Sequence, residues 1–506
     1  MHQPYYKNLL TGESPLPWVR LHGVKDYLDM VEILEQYPAI HQTFNIVPSL
    51  IEQVESYTDR SVKDTFLELS YKPAKDLSDG DKTFILNNFF SINKERVISL
   101  FPRYYELSSK RQKGKEFNTQ DYLDLQVLFN LAWIDPSFRQ KFTPLRQAVA
   151  KGRFFTEEDK HAVLDTQLVI LEEIIPGYKK AAERGQVEFS VTPYYHPILP
   201  LLCTTNAAKE ANLHSRLPAD EFEYPEDARE QVKSAIEFYH KRFGVNPGGM
   251  WPSEESVSER LLPFIIESGI KWIVTDESIL FKSLKKKKRD TKLLYQPHLL
   301  NRKEGNLNVI FRDRNLSDLI GFVYHNWKAE KAVDDFMHHL ENINKAFKNT
   351  DTLLTIAMDG ENAWEYFTND GHDFLNLLYQ RLSESKTIKT TTVSEYLKEY
   401  PAKLKIKHLA TGSWIYGNFD KWMNNPYKAK AWDWLLAARK ALEERKKDVS
   451  KLALKQMYIL EGSDWFWWYG EDPDGSFDKL FRMHLTNLYT LLEKEPPAYL
   501  SSPLKA

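Results

Sequence analysis

Two acidic residues stand where a strand-like run gives way to a turn, and each is suited to proton transfer or nucleophilic attack. Asp359 lies in Met358-Asp359-Gly360-Glu361-Asn362-Ala363-Trp364, directly after the apolar run Leu353–Met358. A carboxyl at such a strand end sits where apolar walls meet a cleft, and desolvation there favours the neutral acid that a proton donor must be. The plainer alternative is an Asx turn or helix cap. Glu254 lies in Gly249-Met250-Trp251-Pro252-Ser253-Glu254-Glu255. A helix starting near Ser253 would put Glu254 in its first turn, where free backbone N–H groups and the helix dipole favour the ionised form a nucleophile needs. First-turn glutamates that only stabilise a helix are also common. Taken together, the two carboxyls read as a pair held in opposite ionisation states, the acid-plus-nucleophile arrangement of a retaining glycosidase.

Other side chains fit a sugar. Trp251 and Trp364 stand in the same two segments and could stack on a sugar ring, or simply pack in the core. His196 follows a strand-like run in Thr192-Pro193-Tyr194-Tyr195-His196 and could reach a cleft or rest in a surface turn. Ser463-Asp464-Trp465-Phe466-Trp467-Trp468-Tyr469 puts five aromatics in a row beside an aspartate, too many for one helix's core stripe. It reads as a glycan-binding wall, an inter-domain plug, or both. There is no His-Glu-x-x-His, no phosphate-binding glycine loop and no Gly-x-Ser-x-Gly elbow. No metal or organic cofactor is expected.

Positioning these groups requires strands that end at one face. His41–Pro48, Val187–Thr192, Lys271–Asp276, Asn308–Asp313 and Leu353–Met358 read as strands, alternating with helical stretches near 225–243, 256–268, 331–348 and 372–384. That alternation predicts a parallel sheet or barrel whose chemistry collects at the C-terminal strand ends. Residues 60–184 carry helical spacing and read as a helical insertion. Beyond 400 the strand pattern stops, and 426–447, 450–460 and 477–494 read as helices.

The 68 basic and 71 acidic side chains leave a net charge of −3, which lacks the footprint of a nucleic-acid binder. No apolar run is long enough to span a membrane. One cysteine, Cys203, excludes an internal disulfide framework and fits a reducing, cytoplasmic setting. The run Lys285–Arg289 reads as a solvated loop.

Jointly, these motifs resemble glycoside hydrolase family 57, which holds α-amylases, amylopullulanases, 4-α-glucanotransferases, branching enzymes and a few α-galactosidases. Five short segments match in order: His2-Gln3-Pro4, Gly185-Gln186-Val187-Glu188, Gly249-x-Trp251-x-x-Glu254, the Asp359 segment, and Ser463–Gly470. The wording is most similar to the amylopullulanase and α-amylase members. The resemblance implies an α/β fold: an incomplete (β/α)7 barrel over 1–400, with the helical insertion, and a helical domain over 401–506 that closes over the cleft. It makes Glu254 the nucleophile and Asp359 the general acid/base. It adds His2, Gln3, Glu188, His196, Trp251, Trp364, Asp464, Trp465 and Trp467 as substrate-binding candidates.

The implied reaction is retaining cleavage of α-1,4 and possibly α-1,6 bonds in a starch-, glycogen- or pullulan-like α-glucan, without a cofactor. A 4-α-glucanotransferase or branching enzyme with the same pair is the alternative. A metal-dependent deacetylase would need an Asp/His/His site, for which no histidine spacing speaks. One departure stands out. Members usually carry a strand before His-Gln-Pro, whereas here only Met1 does. His2 would then hang on a frayed terminus, and an inactive glycan-binding relative is a further reading.

Overall fold

The computed structural model describes residues 1–504 except 349, 362, 446–447 and 473–474. Asn362 of the Asp359 segment and the last two positions of the helix expected over 426–447 therefore lie outside the described residues.

Seven strands form one sheet: β1 Gln42–Asn45, β2 Val187–Val191, β3 Gly249–Met250, β4 Trp272–Asp276, β5 His298–Arg302, β6 Gly305–Arg312 and β7 Leu404–Lys405. Their order is β1-β2-β3-β4-β6-β5-β7. The first five neighbours run parallel, β5 pairs antiparallel with β6, and β7 runs parallel to β5. Register aligns Ser190 with Gly249, Gly249 with Trp272, and Trp272 with Asn308, so the ends of successive strands open on one side. Strand β4 is buried along its whole length, as expected for a parallel strand covered on both faces.

The run Leu353–Met358 departs from the expected strand. Only Thr355 pairs, in a single parallel bridge to Arg312, and residues 352–360 are all half-buried. Its apolar composition is that of a central strand, but a strand needs ladders of backbone hydrogen bonds, and here side chains do much of the holding. Arg312 Nε donates to the Ala357 carbonyl at 2.7 Å, and Ser317 Oγ accepts from Ala357 N at 3.1 Å.

The helices follow their sequence signals. Residues 60–184 are largely helical, dominated by α1 Thr119–Trp133 and α2 Glu157–Glu183, each opened by a capping box on Asn118 and Thr156. Arg20, fully buried, joins this region through Asp64, Asn130 and Gln167. Downstream come α3 Pro225–Phe243, α4 Ala329–Ala346 and α5 His372–Glu384. The helix expected over 256–268 shrinks to Leu262–Glu267, because two short 3-10 turns precede it. In the last hundred residues α6 Pro426–Glu443, α7 Lys451–Leu460, α8 Ser463–Trp468 and α9 Ser476–Leu491 pack together. The apolar core is continuous across residue 400. Among the described residues no helix is long and apolar enough to cross a membrane.

Candidate active site

Strand β3 delivers Glu254, and its glycine decides how. A methyl group at Gly249 would fall 1.9 Å from Cε2 of Trp272, so only glycine lets β3 lie against that indole. The chain leaves β3 through Trp251, whose N–H donates to the Val191 carbonyl at 2.9 Å. It then turns sharply. Glu254 and Glu255 take left-handed backbone angles, φ 57° and 51°, inside the 3-10 turn Ser253–Glu255. Side-chain-bearing residues adopt that region only under constraint. Here Thr275 Oγ1 donates to the Glu255 carbonyl at 2.8 Å, and a bridge between Val257 and Gly412 clamps the turn to the segment before the C-terminal helices.

That segment carries Trp414, whose indole Nε1 donates to Glu254 Oε2 at 2.7 Å while its ring meets Trp251 edge-on at 5.7 Å. The Arg312 guanidinium covers the other side of Trp414 at 5.1 Å. Burial pushes the Glu254 carboxyl up to about 7; Asp359 and Asp464 add to the rise, and His2 and the Trp414 hydrogen bond oppose it.

The environment of Glu254 is thus not the one the sequence predicts. Glu254 is 8 % exposed and sits in a turn rather than at a helix N-terminus, so it lacks the helix dipole and bears the desolvation. Asp359 is half-buried. The adjoining Glu255 is fully buried, neither carboxylate oxygen has a hydrogen-bond partner among the described residues, and burial drives its carboxyl well above the usual range.

A histidine pair meets the same space. The rings of His2 and His196 stack at 3.9 Å and 11°. His2 Nε2 reaches Asp464 Oδ1 at 3.2 Å, and His196 Nδ1 reaches Ser463 Oγ at 2.9 Å. Burial alone would lower the His2 value, but Asp464, joined by Glu254 and Glu361, outweighs it and lifts His2 to about 9. His196, buried beside that cation, is pushed well below its ordinary value. The stack therefore holds one charged and one neutral ring.

Contrary to the expectation of a frayed start, His2 is firmly held. Its backbone N–H donates to Glu361 Oε1 at 3.0 Å, and the Met1 amine donates to the Asn45 carbonyl at 2.7 Å. Gly360 permits this approach, since a methyl group there would fall 2.7 Å from Met1 Cγ.

Several predicted sugar contacts are elsewhere. Glu188, near the start of β2, accepts from Trp272 Nε1 at 3.2 Å and Ser394 N at 2.9 Å, at the opposite strand end from the cleft. Trp364 is 4 % exposed, packed on Phe367 and Gly371. Trp465 is 1 % exposed, donates to the Ile459 carbonyl and packs on His484, so it is a core plug. Gln3 is buried and accepts from Tyr6 Oη at 3.0 Å. Trp251 and Trp467 remain half-buried, the latter under Lys421 Nζ at 4.2 Å. Sequence reasoning missed Trp414, Glu361 and Arg312. For Glu361 the signal was available, since it shares the Asp359 motif. For Trp414 none was, because 160 positions separate it from Glu254.

Sequence spacing also missed an Asp/His/His convergence: ligand atoms of His2, His196 and Asp464 lie within 4.8 Å of one another.

Residues 1–408 match the model of Glycosyl hydrolase family 57. An α-amylase 1 of Dictyoglomus thermophilum is 30% identical over 118 residues, covering 22% of this chain and 14% of that protein. An α-amylase of Pyrococcus abyssi is 22% identical over 291 residues, covering 55% and 38% respectively. The chain thus spans well under half the length of these curated relatives. Among solved structures, a GH57-type branching enzyme from Pyrococcus horikoshii aligns with a TM-score of 0.60 at 17% identity over 97% of this chain and 86% of that one.

Proposed function

The chain belongs to glycosyl hydrolase family 57, and on that premise we propose that it is a retaining enzyme hydrolysing α-glucosidic bonds of a starch- or glycogen-like α-glucan. The observation that carries the reading is the buried Glu254 carboxylate, held by Trp414 Nε1 at 2.7 Å and within the electrostatic reach of both His2 and Asp359. Glu254 attacks the anomeric carbon as the bond from that carbon to the leaving oxygen breaks. Asp359 gives that oxygen its proton. Water then attacks the glycosyl-enzyme ester, passing its proton to Asp359 and releasing Glu254. Trp414 and His2 favour the ionised nucleophile against the burial that opposes it. His2, His196, Asp464 and Trp251 bind the sugar in the cleft.

We assign the catalytic unit to 1–400 as an incomplete (β/α)7 barrel and the helices of 401–506 to a covering domain, with the sheet running past the expected boundary at 400 because β7 Leu404–Lys405 pairs with β5. The Arg312–Thr355 bridge and the Met1–Asn45 hydrogen bond support an approach of the sheet's two ends, and the Trp414 segment supports the cover. Transfer to a sugar hydroxyl, as in a branching enzyme or glucanotransferase, is the second reading; the alignment over 97% of the chain with a branching enzyme favours considering it.

Product analysis on amylose, pullulan and maltotriose separates the two. Reducing-end gain without longer products supports hydrolysis, and lengthened or branched products support transfer. Turnover of all three unchanged in Glu254→Gln would overturn the assigned chemistry.

A further inference from the structure

A second set of converging ligand atoms shares no residue with the cleft. Asp29 follows the π-helical turn Gly23–Tyr27, Asp135 caps the helix Pro136–Lys141, and His372 opens α5. One carboxylate oxygen from each aspartate and a ring nitrogen of His372 lie within 4.8 Å of one another. Asp135 divides its carboxylate, Oδ1 accepting from Ser137 N at 2.7 Å and Oδ2 meeting His372 Nε2 at 2.8 Å. Asp29 is 6 % exposed, and its buried Oδ1 has no hydrogen-bond partner among the described residues.

Asp26 and Asp370 face the trio as well, so four carboxylates share the neighbourhood with Lys25 and Arg139 and with two histidines, His372 on Asp135 at 2.8 Å and His22 on Asp26 at 2.6 Å. Lys25 Nζ is committed to Asp26 at 2.7 Å and Asp370 at 2.5 Å, and the buried Nη1 of Arg139 has no hydrogen-bond partner among the described residues. Asp29 is the member of the trio with a buried oxygen left over, and a buried polar atom without a partner is costly. A divalent cation would use that oxygen.

From this geometry we propose that Asp29, Asp135 and His372 form a structural site for a borderline first-row divalent cation of the Zn²⁺ class. Two carboxylates with one imidazole make a mixed oxygen–nitrogen set that suits such ions better than Ca²⁺ or Mg²⁺, which take oxygen ligands. The ion would join three separate segments, one of them the stretch 369–372 a dozen residues beyond Asp359. It would stiffen the weakly paired region that carries the acid/base.

The test uses the full chain, stripped with chelator and then titrated with Zn²⁺ and, for its visible absorption, Co²⁺. One ion per chain is expected, with an absorption band present in wild type and in Asp464→Asn but lost in Asp29→Asn and in His372→Ala. Zn²⁺ should raise the unfolding midpoint of wild type by on the order of a few degrees and leave that of Asp29→Asn unmoved. Circular dichroism checks that each variant is folded. The proposal is overturned if stripped wild type binds no ion, or if folded Asp29→Asn and His372→Ala bind like wild type. Loss of binding in Asp464→Asn alone would put the ion in the cleft and overturn it equally. Absence of an ion at Asp29, Asp135 and His372 leaves the glycosidase reading intact, since none of the three is placed in the cleft, whereas an ion lost with Asp464→Asn would bear on the sugar contacts assigned to His2, His196 and Asp464.

Discussion

The two carboxyl-bearing segments are built on opposite plans. Ser253–Glu255 is buried, sharply turned and clamped by Trp414, Thr275 and the Val257–Gly412 bridge. The segment 353–360 is half-buried, meets the sheet through one bridge, and leans on the side chains of Arg312 and Ser317. The contrast suits the two proposed roles. A nucleophile must be aimed along one line at a carbon, which rewards rigidity. An acid/base must exchange a proton first with a leaving oxygen and then with water, which rewards access to solvent.

Removing each carboxylate tests that contrast. Glu254→Gln should lower kcat on maltooligosaccharides by on the order of 10⁴-fold or more, with KM little changed. Asp359→Asn should lose about 10²–10⁴-fold on the same substrates. On an aryl glycoside whose leaving group needs no protonation it should recover most of the first step. Equal losses on both substrates would break the assignment of Asp359 as the proton donor.

Smaller changes sharpen it. Glu254 must be ionised to attack and is held at about 7, so kcat/KM should rise with pH through that value. Trp414→Phe removes a hydrogen bond to the charged form, worth about 1.5–3 kcal/mol, and should move that limb upward by about 1–2 pH units. An unmoved limb in a folded variant would mean the indole does not set the state of the nucleophile. The smallest effect concerns stability. His2 is raised from 6.5 to about 9, so its contribution is complete below about 6.5 and is lost as pH rises through about 9. Denaturant midpoints between those values should fall less steeply in His2→Gln than in wild type.

Much of this was legible in the chain itself. Strands β1, β2, β4 and β6, the helical stretch of 60–184 and the C-terminal helices were visible, because period and capping residues are local signals, whereas the short β3 and β7 and the antiparallel β5 were not. Glu254 and Asp359 were visible as residues but not as environments. Their burial depends on what packs over them, and Trp414 comes from 160 positions away. Composition made Leu353–Met358 look like the firmest strand, yet pairing requires neighbours that composition does not display. The same limit affects the aromatic row: Trp465 turns inward against His484 while Trp467 faces Lys421, and only helix packing separates them.

The paired left-handed residues Glu254 and Glu255 carry a consequence for how this protein can be altered. Each holds a backbone conformation that costs of order 1–3 kcal/mol for a side-chain-bearing residue. Glycine would remove that cost at 255, so a search for heat-resistant variants should rediscover Glu255→Gly readily. Such a variant would melt later and work worse, because the turn that aims its neighbour would gain freedom. Durability and turnover are set against each other at one peptide unit, and selection for either alone would move the sequence in opposite directions.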